Sequence, residues 1–170
     1  MLSRGDPDSL TEFASPSTRT LLCVVDESDE LPVALTFAAL RSRRTGSHVG
    51  LLYVIDTPAD FQHWSAVGEL MRAEAREHAE TVILQAAARV QRLSGSAPSL
   101  TIREGDTVDE TIQACEDDPS VAFLILASDT GPKGPGPLIS SLTGKSVGRL
   151  QVPVVILPGN LSEEEITRFA

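Results

Sequence analysis

Leu21-Leu22-Cys23-Val24-Val25, running directly into Asp26-Glu27-Ser28-Asp29-Glu30, is the stretch on which the fold turns. Five apolar residues without alternation suit a strand covered on both faces, and a cluster of acids stops it abruptly. Glu30 to Arg44 then reads as a helix, with Val33, Phe37 and Leu40 on one face and basic residues in its last turn. Gly46 closes it. A buried strand feeding a helix is half of a crossover unit, and the rest of the chain repeats that alternation. His48 to Ile55 forms the second strand, and Leu100 to Arg103 a short third one. Val121 to Ala127 is the wholly apolar fourth, and Val152 to Leu157 the fifth.

The segments between them carry helical periodicity. Trp64, Val67, Met71, Ala75, Ala79 and Val82, continued by Ala86, Val90 and Leu93, mark one long amphipathic helix. Thr107 to Glu110 has the pattern of a capping box, with Val108, Ile112 and Cys115 on the face behind it. Ser140 to Leu150 reads as a weaker helix, diluted by Gly144 and Gly148. Ser162 to Glu165 is a second capping box, opening a short terminal helix. Strands alternating with helices imply an α/β three-layer sandwich, a five-stranded parallel sheet with helices on both faces, and a crevice at the carboxyl ends of the strands. Residues 1–18, rich in Ser, Pro and Thr, read as a disordered arm; 19–160 is the domain and 161–170 a helical tail.

Composition narrows the functions. The chain has 170 residues, 14 Lys plus Arg against 24 Asp plus Glu, and a net charge of −10. Residues 1–18 and 161–170 each carry −2, so the body between them is itself acidic at −6. Such a body gains nothing from counterion release, which argues against nucleic acid and anionic membrane surfaces as partners. No apolar run reaches the 18 or so residues of a membrane span. The opening residues lack the apolar core of a secretory signal, and Cys23 and Cys115 sit in apolar patterns without a Cys-x-x-Cys. A cytoplasmic protein with reduced thiols is the expectation.

Two apparent motifs dissolve. Gly144-Lys145-Ser146 resembles the end of a Walker loop, but Ile139 stands where its leading glycine belongs. Gly144 to Gly148 also matches Gly-x-Ser-x-Gly, yet no strand precedes it and every histidine lies before Ser146. His63 and His78 lack the spacing of metal ligands. The acids after the first strand exclude a dinucleotide-type glycine turn, because they would repel a pyrophosphate. Asp26 can instead accept a ribose hydroxyl, or simply favour the helix dipole. Between the fourth strand and the next helix, Ser128 to Pro137 is Gly/Pro-rich. Its free amides and Lys133 could cradle a phosphate, although each of its prolines removes a donor.

In order and spacing these segments resemble the universal stress proteins, over Arg19 to Gly159. The resemblance rests on Leu22 to Ser28, Leu51 to Ile55, Arg103 to Thr107, Phe123 to Ser128 and Val152 to Pro158. It implies a sheet of order 3-2-1-4-5, a Rossmann-like fold like that of the adenine nucleotide alpha hydrolases. It also implies a homodimer through the last strand, Val152 to Leu157, and a stress-responsive binding role without catalytic residues. The implied ligand is ATP or another adenine nucleotide, with or without Mg²⁺. Asp26 and Val54 match the positions that would meet ribose and adenine. The family's phosphate motif, Gly-x2-Gly-x9-Gly-Ser/Thr, falls ungapped on Ala127, Thr130, Ser140 and Ser141. Slid by four it meets Gly131, Gly134 and Gly144, with Lys145 in place of the hydroxyl. The ungapped register keeps the following helix at full length; either way the motif is degenerate. A weak ATPase or phosphotransfer enzyme would use the same crevice but lacks a base. A phospho-acceptor receiver would need a lysine after the fifth strand, where Leu157-Pro158-Gly159-Asn160 stands.

Overall fold

The computed structural model describes residues 19–57 and 65–170, with side chains of 65–67 left aside. The expected disordered arm, Phe61, His63 and Trp64 lie outside the described residues. Strand β1 (Thr20–Val25) is buried along its whole length. It pairs with β2 (His48–Asp56) on one side and β4 (Val121–Ser128) on the other, both parallel. Strands β3 (Ser99–Gly105) and β5 (Val154–Pro158) flank them, giving the order β3-β2-β1-β4-β5. This is the expected winding, and it reverses at β1.

The missing alternation in β1 has a direct cause. Leu21, Cys23 and Val25 point into one core layer with Phe37, Ile83 and Val90, while Leu22 and Val24 point into the other with Ile112 and Leu142. Helices α1 (Leu31–Thr45) and α2 (Ser65–Ser94) cover the first face; α3 (Thr107–Asp117) and α4 (Pro137–Thr143) cover the second. Burial pushes the Cys23 thiol up to about 12, so it packs as an inert small hydrophobe. Gly46 ends α1 in the left-handed conformation, as its sequence suggests.

Three local expectations are corrected. The cap of α3 is Asp106, one residue before the expected box, and its Oδ1 accepts from the amides of Val108 and Asp109 at 2.9 Å each. Helix α4 starts at Pro137 and stops at Thr143, with a separate 3₁₀ turn at Val147–Arg149, instead of running from Ser140 to Leu150. A proline in the first helical turn loses no hydrogen bond, so the Pro-rich segment helps to start the helix it was expected to precede. On α2 the fully buried seam is Ala79, Ile83, Ala86 and Val90, whereas Met71 is 46% exposed. Thirty residues of helix span about 45 Å, longer than the sheet beneath, so the first turns overhang it.

The terminal helix α5 (Glu163–Phe169) carries the expected capping box and docks against α1 through Ile166 and Ala170. The Arg44 guanidinium donates to the carbonyls of Thr167 and Ala170.

Candidate functional site: a cleft at the reversal of the sheet

Where β1 and β4 part at their carboxyl ends, a cleft of about 350 Å³ opens. That is the low end of the range for small-molecule sites. One wall is the turn from β1 into α1, Asp26-Glu27-Ser28. Asp26 Oδ1 accepts both the amide of Ser28, at 3.0 Å, and its hydroxyl, at 2.6 Å. That arrangement fixes the carboxylate and leaves its other oxygen without a partner among the described residues. Glu27 Oε1 lies 2.7 Å from Nε2 of His78 on α2, both side chains being exposed. Tyr53 and Val54, from the end of β2, supply the floor. Burial raises the Tyr53 hydroxyl above its ordinary value, and the charges of Glu27 and Asp26 raise it further.

The opposite wall is Ala127 at the end of β4 and the entry to α4, Pro135-Gly136-Pro137. Gly136 takes φ 93° and ψ 160°, a region that L side chains avoid, and its carbonyl accepts from the amide of Ser140 at 3.0 Å. A last support comes from behind. Gly159, just after β5, donates its amide to the Ser128 carbonyl at 2.8 Å. A Cβ on Gly159 would stand 2.7 Å from that same oxygen and inside the Glu30 side chain.

Of the residues expected from sequence, Asp26, Val54 and Ala127 meet in this cleft, while Thr130, Gly131, Gly134, Ser140 and Ser141 do not line it. Gly131 turns inward on its own loop, its amide donating to Asp129 Oδ1 at 2.6 Å. Gly134 donates to the Gly131 carbonyl at 3.2 Å, and the Ser140 hydroxyl to that of Gly136 at 2.8 Å. Tyr53 is a lining residue that sequence reasoning missed, whereas Gly136 and its two flanking prolines belong to the Ser128 to Pro137 loop already read as a candidate. Pro137 marks where α4 begins, since proline suits the first turn of a helix.

The cleft's described lining holds the carboxylates of Asp26 and Glu27 and no lysine or arginine. Lys133 is exposed on the loop beyond it. Arg89 belongs to a neighbouring depression between α1 and α2, where it donates to the Thr36 hydroxyl at 2.9 Å. Among the described residues no group of three His, Cys, Asp or Glu side chains could hold a metal ion. No described helix is long and apolar enough to cross a membrane. Gly144-Lys145-Ser146 follows a helix, and Ser146 is buried, so neither sequence motif that it mimics is in play.

Fold and cleft together define a small doubly wound α/β domain with a ligand-sized hollow at its switch point. The family model described as "Universal stress protein family" matches residues 17–158. The chain therefore belongs to the universal stress protein family. Among solved structures it is similar to the universal stress protein UspA from Lactobacillus plantarum, at 20% identity and TM-score 0.68, covering 82% of this chain and 97% of that one. It is similar, at 12% identity and TM-score 0.58, to a universal stress protein in complex with cAMP, covering 84% and 98%. A universal stress protein from Archaeoglobus fulgidus in complex with dAMP gives 15% identity and TM-score 0.56, covering 81% and 96%. No curated protein matches the chain in sequence.

Proposed function

We propose that this protein is a dimeric, stress-responsive binding domain whose cleft takes an adenine compound and performs no chemistry on it. The observation that carries the ligand reading is Asp26. Its carboxylate is held by Ser28 at the mouth of a hollow with an aromatic and aliphatic floor, leaving one oxygen to accept from a ribose hydroxyl. Two structurally similar relatives were solved with cAMP and dAMP, which supports an adenine ring in this place. The non-catalytic half of the reading rests on the polar groups of the cleft. The Ser28 hydroxyl is donated to Asp26 and Glu27 faces His78; the free Asp26 oxygen is read as the ribose acceptor, and the described lining has no lysine or arginine to steady a phosphoryl group in transfer.

The test is calorimetric titration of the intact chain with adenosine, AMP, ADP, ATP and cAMP, repeated on Asp26→Asn. Binding of at least one of them, weakened about tenfold or more by the substitution, is the expected result. Heat from none of the five overturns the ligand reading. For the dimer, β5 ends the sheet and has β4 as its one strand neighbour among the described residues. Val154 and Val155 are half-buried and Ile156 is 37% exposed, an apolar edge suited to a second copy. Ultracentrifugation should show a dimer that Ile156→Lys converts to monomer; a wild-type monomer at tens of micromolar would remove the assembly.

A further inference from the structure

We infer that the cleft selects the uncharged adenine nucleoside and discriminates against its phosphorylated forms. This rests on the adenine reading above and adds the charge class of the ligand. A phosphate needs donors or cations, and the described lining of the hollow offers it no lysine or arginine and few free donors. Pro135 and Pro137 have no N–H to give, and Ala127 presents a Cβ where bare backbone would have to approach. The amides of Gly131 and Gly134 are spent inside their own loop, the first on Asp129 and the second on Gly131. The hydroxyls of Ser128 and Ser140 are spent on the carbonyls of Asp129 and Gly136. What remains in the lining is uncharged, the hydroxyls of Tyr53 and Thr107 and the amides at the entry to α4, in the company of two carboxylates.

Three arginines are committed elsewhere, and Lys133 is exposed on the loop outside the described lining. Arg103 is held by Asp117 at 2.6 Å and Glu110 at 3.5 Å, and Arg149 by Asp109 at 2.7 Å. Arg89 faces the other side of the Asp26 turn, bonded to Thr36. Asp26 and Glu27 therefore set the field in the hollow, inside a domain of net negative charge. A ribose hydroxyl donates to such a carboxylate, whereas a phosphate dianion is repelled by it.

Titration of the full-length chain with adenosine, AMP and Mg²⁺-free ATP, at low and at high salt, tests this. Adenosine should bind tightest, AMP roughly tenfold or more weaker, and ATP weaker again. Raising the salt should narrow the spread, because repulsion between partly exposed charges is screened. Glu27→Gln should lower the adenosine-to-AMP affinity ratio by about threefold or more at low salt. AMP or ATP binding more tightly than adenosine would overturn the inference and leave the adenine reading standing. A spread that ignores both salt and Glu27→Gln would overturn it too. Failure of all three ligands to bind would remove the adenine reading itself.

Discussion

Gly136→Ala tests whether the wall of the cleft is shaped by backbone geometry rather than by packing. A Cβ at this position would meet nothing within 4 Å, so the substitution introduces no clash. Its whole cost lies in φ 93° and ψ 160°, which only glycine adopts readily. Backbone held in such a region costs about 1–3 kcal/mol, an equilibrium factor of roughly five to 150. The penalty can fall in two places. If the loop keeps its path, the domain loses that much stability in urea denaturation. If the loop relaxes, stability is spared but Pro135 and Pro137 move, and affinity for adenosine falls by the same factor. Gly148→Ala is the internal control, since it too faces open space but carries no positive φ. It should change stability by no more than about 0.5 kcal/mol. Midpoints and slopes would be compared at one protein concentration, because any dimerisation adds a concentration-dependent term. Equal midpoints and equal adenosine titrations for the two variants would refute the reasoning.

Two further outcomes follow from the packing and the charges. Ile83→Ala removes three carbons from a side chain 1% exposed and should cost about 2–5 kcal/mol, whereas Leu84→Ala, at 58% exposure, should stay within about 0.5; similar urea midpoints for the pair would mean that α2 packs by a different seam. The Arg103 guanidinium, and then the Gln113 amide, hold the Asp117 carboxyl below its ordinary 3.8. Its folded value being lowered, the stabilisation is present above about pH 3.8 and is lost as pH falls through the folded value. Asp117→Asn should thus be less stable than wild type near neutrality, with the gap closing in acid; a gap that stays constant down to the acid transition would exclude this linkage.

The fold was legible because β1, β2 and β4 are buried on both faces. A strand in that position must be apolar at every residue, and Leu21 to Val25 and Val121 to Ala127 say so without any partner being known. The ends of the helices were less legible. Asp106 and Thr107 are both competent caps, and only the path of the chain out of β3 decides that Asp106 serves. Pro137 likewise looks like a breaker in one dimension and is a helix starter once Gly136 has turned the backbone ahead of it.

The cleft divides along the same line. Position after a buried strand was enough to bring Asp26, Val54 and Ala127 to one rim, because the carboxyl ends of parallel strands share an edge. Which amides and hydroxyls around that rim are still free is another matter. It depends on hydrogen bonds such as that from the Gly159 amide to the Ser128 carbonyl, made between residues that only the folded chain brings within reach. Apolar patterning is set by burial and can be read along the chain. The state of each donor is set by its neighbours in space, and there the tertiary structure alone decides.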